Sequence, residues 1–219
     1  RPSILLDSTA DLLMYGMGER HIVEIAHRLD NGEKITDLTD IKGTCYAVNS
    51  NEYQPIKGAV ECPSFEIVSV NNEKSKRQYA ISTRIQQEEH DAVRVKTVIQ
   101  KSGNKIVVQN PPSPPLSTEE MDRVYSLPYM RNYHPSYEQQ GGIPGIAEVK
   151  FSIIHNRGCF GACNFCAIAY HQGRSISVRS HESVIEEAKK ITEMPDFKGY
   201  IHDVGGPTAN FRTPSCDKQ

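Results

Sequence analysis

Apolar and polar positions change period several times along the chain, and each change marks an element. Asp11-Leu-Leu-Met-Tyr15 is a short apolar run of strand length. Gly16-Met-Gly18-Glu19 interrupts it as a turn. Ile22, Ile25, Ala26 and Leu29 then recur at i, i+3, i+4 and i+7, the stripe of an amphipathic helix. Asn31-Gly32 ends that helix, and Thr44 to Val48 reads as a second strand. The pattern predicts a βαβ-like piece.

Between about residues 50 and 145 the periodicity weakens. Asn71 to His90 is very polar and predicts one exposed helix with sparse apolar positions. Thr97-Val-Ile-Gln-Lys101 and Lys105-Ile-Val-Val-Gln109, joined by Ser102-Gly-Asn104, predict a hairpin. Asn110-Pro-Pro-Ser-Pro-Pro115 excludes helix and central strand, because proline lacks the amide donor, and reads as a stiff extended connector. Ser117-Thr118-Glu119-Glu120 has the form of a capped helix start, ending before Pro128. Tyr125, Tyr129, Tyr133 and Tyr137 follow among prolines, which argues for a draped segment with packed rings and wet hydroxyls.

The last third regains order. Val149-Lys-Phe-Ser-Ile-Ile154 predicts a strand, and a cysteine-rich loop follows it. Ser180 caps a helix whose apolar face is Val184, Ala188 and Ile191, backed by Ile185. Gly199-Tyr-Ile-His-Asp-Val204 predicts the next strand, ending in Gly205-Gly206. This is a βαβ unit with its cysteine loop at the C-terminal end of the first strand, the edge where α/β folds place their chemistry.

Composition narrows the class. The 219 residues carry a net charge of -2, so no global field draws nucleic acid or an anionic membrane. A mean hydropathy of -0.52 fits a small core with polar segments attached, and no apolar run is long enough to span a bilayer. Arg1-Pro2 is not followed by the apolar stretch of a signal peptide, so a cytoplasmic protein is expected. Residue 1 is not Met and the sequence stops at Ser-Cys-Asp-Lys-Gln219, which reads as a fragment.

Three of the six cysteines fall in Arg157-Gly158-Cys159-Phe160-Gly161-Ala162-Cys163-Asn164-Phe165-Cys166, spaced C-x3-C-x2-C. Thiolates suit soft metal centres, and three of them can grip three irons of a [4Fe-4S] cube while leaving the fourth iron open. Gly158 and Gly161 suit a loop wrapped tightly around such a cube. Two other readings stay open on spacing alone. Zinc could take His155, His171 or Cys216 as fourth ligand, although zinc sites usually pair two C-x2-C units. A closed electron-transfer cluster could recruit Cys216.

The C-x3-C-x-aromatic-C loop, set between a strand and a helix and followed by a strand ending in Gly-Gly, resembles the opening of radical S-adenosylmethionine (radical SAM) enzymes. His155 through Gly173, Glu193-Met-Pro-Asp-Phe-Lys-Gly199 and Asp203-Val-Gly-Gly-Pro-Thr-Ala-Asn210 resemble the YgiQ-like family within that superfamily. Asn110-Pro-Pro-Ser-Pro-Pro-Leu116 and Tyr133-His-Pro-Ser-Tyr137 are similar to it as well. The resemblance implies that Cys159, Cys163 and Cys166 ligate a [4Fe-4S] cluster and that Phe165 fills the aromatic place beside it. It implies that S-adenosylmethionine binds the open iron and is cleaved to a 5′-deoxyadenosyl radical acting on an unknown substrate, with an external electron donor. Gly205 and Gly206 map to the glycine pair whose backbone contacts the methionine amino group. The superfamily usually has Glu next, but Pro207 stands here, so Thr208 is the further candidate for the cofactor.

The fold expected is α/β, in three parts. Residues 1–60 are read as the tail of a Rossmann-like domain resembling cobalamin-binding domains, without the Asp-x-His-x-x-Gly signature of cobalamin itself. Residues 61–145 are read as an irregular connector with polar helix, hairpin and proline-rich segment, and residues 146–219 as the N-terminal part of a radical SAM barrel. The expected activity belongs to the longer protein, with weak or absent turnover in the fragment. A non-catalytic iron–sulfur electron carrier and a zinc-binding module are the alternatives. No membrane or nucleic-acid partner is expected. Arg157, Arg174 and Arg179 are read as solvated loop charges, with binding of the cofactor carboxylate as the sharper alternative. His155 is expected to hydrogen-bond behind the ligands or to be exposed, rather than to ligate. Cys45 and Cys62 are read as inert buried thiols. Cys216 is read as a free thiol or part of a second cluster.

Overall fold

The computed structural model describes residues 2–90, 96–161, 163 and 165–207. The chain folds as two compact units, residues 1–114 with 165–173, and residues 115–164 with 174–219.

The first unit is a mixed sheet with helices. Its elements are α1 (Ile4–Asp7), β1 (Leu12–Met14), α2 (Glu19–Asp30), β2 (Thr44–Asn49), β3 (Val60–Cys62), α3 (Phe65–Val68), α4 (Glu73–Glu88), β4 (Val98–Ser102) and β5 (Lys105–Gln109). The strands lie in the order β1-β2-β5-β4-β3; β3 and β4 pair in parallel, and the other three pairings are antiparallel. Of the stripe read on α2, Ile25 alone is buried, against Leu38 and Ile41 with Leu12 and Ile35 packed alongside, whereas Ile22, Ala26 and Leu29 are exposed and His21 is the helix's other buried residue. The polar helix read from Asn71 to His90 is α4, with Asn72 accepting from the Ser75 amide at 2.9 Å as its N-cap.

Two expectations for this stretch change. The βαβ-like reading requires parallel strands, yet β1 and β2 run antiparallel, with Leu13 opposite Cys45. Hydrophobic period places a helix between two strands but carries no information about their direction. Here the chain leaves α2 at Gly32, passes a 3-10 turn at Ile35–Asp37 and enters β2 in the opposite sense. The second change concerns the hairpin. β4 and β5 are not part of an irregular connector, because β5 sits between β2 and β4 in the sheet. Its alternation explains why: Ile106 and Val108 are buried while Lys105, Val107 and Gln109 are half-buried.

Asn110 closes the sheet. Its side-chain amide donates to the carbonyls of Thr39 and Ile41 and to Thr44 Oγ1 at 2.9–3.1 Å. Its backbone amide donates to Thr44 O, and its carbonyl accepts from the Tyr15 hydroxyl. Cys45 and Cys62 line a cavity of about 360 Å³ beside Phe65, Tyr79 and Val98.

The second unit holds α5 (Thr118–Ser126), α6 (Ile146–Val149), β6 (Ser152–Ile154), β7 (Asn156–Arg157), β8 (Ser177–Val178), α8 (His181–Thr192) and β9 (Asp203–Gly205); α7 (Ile168–Gln172) counts with the first unit. Ser117 and Glu120 form the capping box of α5. β6 and β9 pair in parallel on either side of α8, so the predicted βαβ unit is present. Its core is Phe151, Ile153 and Ile191, backed by Val184, Ala188 and Met194. The strands are shorter than the apolar runs suggested. The ladder fixes only Ser152↔Asp203, Ile153↔Val204 and Ile154↔Gly205, and Val149 lies in α6 instead. A continuous apolar run marks burial or β propensity; without a paired neighbour it does not become strand.

Candidate functional site

The cysteine loop begins where β6 ends. The His155 amide donates to Gly205 O at 2.9 Å, which continues the β6–β9 contact by one residue. The chain then bends into β7, which pairs with β8 through Asn156↔Val178 and Arg157↔Ser177. Both ends of the loop are thus fixed by short ladders within the second unit.

Gly158 makes the bend possible. Its φ is +87°, and a Cβ there would stand 1.9 Å from the Ser175 carbonyl oxygen. Gly161 has a different role. A Cβ on it would lie 3.3 Å from Cys159 Sγ and 3.8 Å from Cys163 Sγ, so the sulfurs of both cysteines border the space its missing side chain leaves. Cys159 is buried, Cys163 exposed and Cys166 intermediate, and none of the three is in a disulfide. Phe165 is 92% exposed, and Phe160 is half exposed. Among the described residues no three His, Cys, Asp or Glu side chains converge into a metal-binding group. Thr208 and Cys216 lie outside the described residues.

The glycine pair closes β9, with Gly205 as its last residue and Gly206 just beyond it. A Cβ on Gly206 would fall 2.0 Å from Oδ1 and 2.8 Å from Nδ2 of Asn156. Asn156 is wholly buried, and neither polar atom of its carboxamide has a hydrogen-bond partner. Sequence reasoning passed over this residue, because an Asn after a strand looks like an ordinary turn residue. The nearby cysteine loop was the one signal that pointed to it.

The arginines divide. Arg179 is no solvated charge: it is 2% exposed and donates to Glu187, to Ile154 O at 2.9 Å and to Ser183 Oγ and O. Arg131 reaches the other oxygen of Glu187. Arg179 also stacks over the Tyr125 ring at 4.2 Å, and Arg157 approaches the same ring at 5.2 Å while donating to its hydroxyl. Tyr125 is therefore contacted by two guanidinium groups. Arg179 is committed to holding α8 against the end of β6, which steadies the entry to the cysteine loop. His155 is buried, with its carbonyl accepting from the Arg179 amide at 2.9 Å.

Cysteine sulfur is the donor type that an iron–sulfur cluster takes, and the Asn156 carboxamide beside Gly206 has no hydrogen-bond partner of its own. A family model described as Radical SAM N-terminal matches residues 1–152. A UPF0313 protein of Clostridium botulinum (strain 657 / Type Ba4) is 55% identical over all 219 residues of this chain, which cover 33% of the relative. A UPF0313 protein of Clostridium perfringens (strain SM101 / Type A) is 52% identical over the same 219 residues, 32% of its length. The chain thus spans about a third of the curated relatives it matches. No solved structure matches it. No helix among the described residues is long and apolar enough to cross a membrane. The match over residues 1–152, together with a cysteine loop of radical SAM spacing directly after it, places this chain in the radical SAM N-terminal family.

Proposed function

We propose that the intact protein containing this chain is a radical SAM enzyme. In this reading Cys159, Cys163 and Cys166 hold a [4Fe-4S] cluster. Gly205 and Gly206 receive the methionine end of S-adenosylmethionine, and Thr208 and Phe165 are the further candidates for contact with the cofactor. When bound, the cluster supplies the electron for reductive cleavage of S-adenosylmethionine. The observation that carries the reading is the placement of Cys159 and Cys163 around Gly161, on a loop leaving the C-terminal end of β6.

The chain's own residues do the holding. Gly158 lets the loop turn against Ser175, and Gly161 keeps the space between two sulfurs clear. Arg179 and Glu187 brace α8 against Ile154 O, so that the loop leaves from a fixed point. In the proposed arrangement residues 146–219 open a barrel completed elsewhere in the longer protein. The substrate meets the site there, and an external donor in the cytoplasm supplies electrons.

The test is anaerobic iron and sulfide reconstitution of the intact protein, followed by electron paramagnetic resonance after reduction. A cubane signal absent from Cys163→Ala and perturbed by S-adenosylmethionine supports the enzyme reading. A signal indifferent to S-adenosylmethionine favours an electron carrier. Bound zinc without sulfide rejects the proposal in favour of a zinc module.

A further inference from the structure

Among the described residues two asparagines are buried, and they behave oppositely. Asn110 is 7% exposed and its side-chain amide makes three hydrogen bonds, so its burial is explained by the structure it ties together. Asn156 is 0% exposed and its carboxamide makes none. A buried amide without partners is costly, and such groups in native proteins call for a specific explanation.

The position supplies one. Asn156 lies three residues before Cys159. Its carboxamide lies directly under Gly206, where any side chain would collide with it. Gly206 is itself exposed, so this glycine is a thin layer over the amide. The glycine pair is the feature read above as receiving the methionine end of S-adenosylmethionine. That end is a zwitterion, with a donating ammonium and an accepting carboxylate. A carboxamide offers one acceptor oxygen and two donor hydrogens, and with both atoms unpartnered either flip of the amide serves. Pro207 stands where the superfamily usually has an acidic residue, so an acceptor for the ammonium must come from elsewhere.

We infer that Asn156 is a binding residue for the methionine moiety of S-adenosylmethionine, its oxygen accepting from the α-ammonium and its NH₂ donating to the α-carboxylate. The ligand approaches the carboxamide across Gly206, which has no side chain to stand between them. The inference rests on the radical SAM reading and assigns it a residue that the family resemblance did not.

The experiment uses the intact, anaerobically reconstituted protein and measures equilibrium binding of S-adenosylmethionine and of 5′-methylthioadenosine, which lacks the methionine moiety. Asn156→Leu, of similar volume, removes the polar atoms without opening a cavity. It is expected to weaken S-adenosylmethionine about ten- to a hundredfold, the loss of hydrogen bonds to charged groups. It should leave 5′-methylthioadenosine affinity, iron content and the cubane signal unchanged. Thermal stability should hold or rise, since an orphaned polar group is replaced by an apolar one. Gly206→Ala, which drives a methyl into the carboxamide, should show the same selective loss. Equal S-adenosylmethionine affinity in wild type and Asn156→Leu overturns the assignment while the radical SAM reading stands. So does a parallel loss for both ligands with lowered stability, which marks a structural residue. A wild-type protein that holds the cubane but binds no S-adenosylmethionine overturns both.

Discussion

Arg179 and Glu187 form an ion pair inside the second unit, with both side chains almost completely withdrawn from solvent. The pair spans from the residue after β8 to the middle of α8, and the same guanidinium holds the carbonyl of Ile154 at the end of β6. A buried pair is weak evidence for stability as such, because desolvation offsets much of the attraction; removing one partner is the costly change. Glu187→Leu strands Arg179 and Arg131 together and is expected to cost about 3–5 kcal/mol. The double variant Arg179→Met with Glu187→Leu should be milder than Glu187→Leu alone. Hydrogen exchange read peptide by peptide checks this: protection should fall across residues 152–157 and 180–192 in the single variant. Unchanged protection would remove the pair from any role in setting the loop's entry.

Gly158 has no tolerant substitute. Ala at this position meets a backbone carbonyl at 1.9 Å and a left-handed φ at once, so neither a rotamer change nor a side-chain shift relieves it. The expected cost is about 2–4 kcal/mol locally, with loss of iron binding in the intact protein. Gly145 is the control, because a Cβ there meets nothing within 4 Å and its φ is -62°. Gly145→Ala should leave iron content unchanged. Iron retained by Gly158→Ala at the wild-type level would contradict the tight-turn account.

Elements with a local signal were legible in the sequence. The α2 helix, the Ser117 capping box, the Gly103 hairpin and the Ser180-capped helix all follow from residues within one or two turns of each other, and the structure has them, although of the α2 stripe it buries Ile25 alone. Long-range pairing was not legible. Nothing local says that β5 belongs between β2 and β4 rather than in a free hairpin, or that β1 and β2 are antiparallel. The site divides in the same way. The three cysteines announce themselves by spacing, whereas Asn156 gains its meaning only from Gly206, fifty residues on and one strand away. Arg179 looked like any loop arginine because its partner Glu187 is read from sequence as one more polar helix residue.

His21 gives the first unit an acid limit. It is 2% exposed, and its ring fills the space where a Cβ on Gly43 would stand. Burial pushes the imidazole below its ordinary value, against the opposing pull of the Tyr15 backbone contact and of Glu19 and Glu24. The unfolded chain therefore takes up this proton first as pH falls through about 6.5. The contribution to stability is complete above that value and is lost below it. Exchange protection over residues 12–46 should drop from pH 7.5 to pH 5, and the His21→Gln protein should show a flatter profile. An identical pH dependence in the two proteins would assign the acid limit to another group.

The cysteines of the two units should separate by reactivity. Burial pushes the Cys45 thiol up to about 12 and raises that of Cys62, so near pH 8.5 both remain protonated in the folded chain. An unfolded thiol is about half ionised there. Only the thiolate is alkylated, and Cys163 is exposed. Iodoacetamide in the presence of chelator should therefore label Cys163 within minutes and leave Cys45 and Cys62 unlabelled until the first unit opens. The same shift fixes a sign for stability. The unfolded state loses these protons from about pH 8.5 upward, while folded Cys45 keeps its own to about 12. The thiols' contribution is thus full below that window and falls as pH rises through it. Cys45→Ala should flatten the alkaline loss of the first unit, and mass spectrometry of labelled peptides reads the order of reaction. Labelling of Cys45 as fast as Cys163 at pH 8.5 would mean that the cavity beside β2 opens readily to solvent, and the inert-thiol account would be withdrawn.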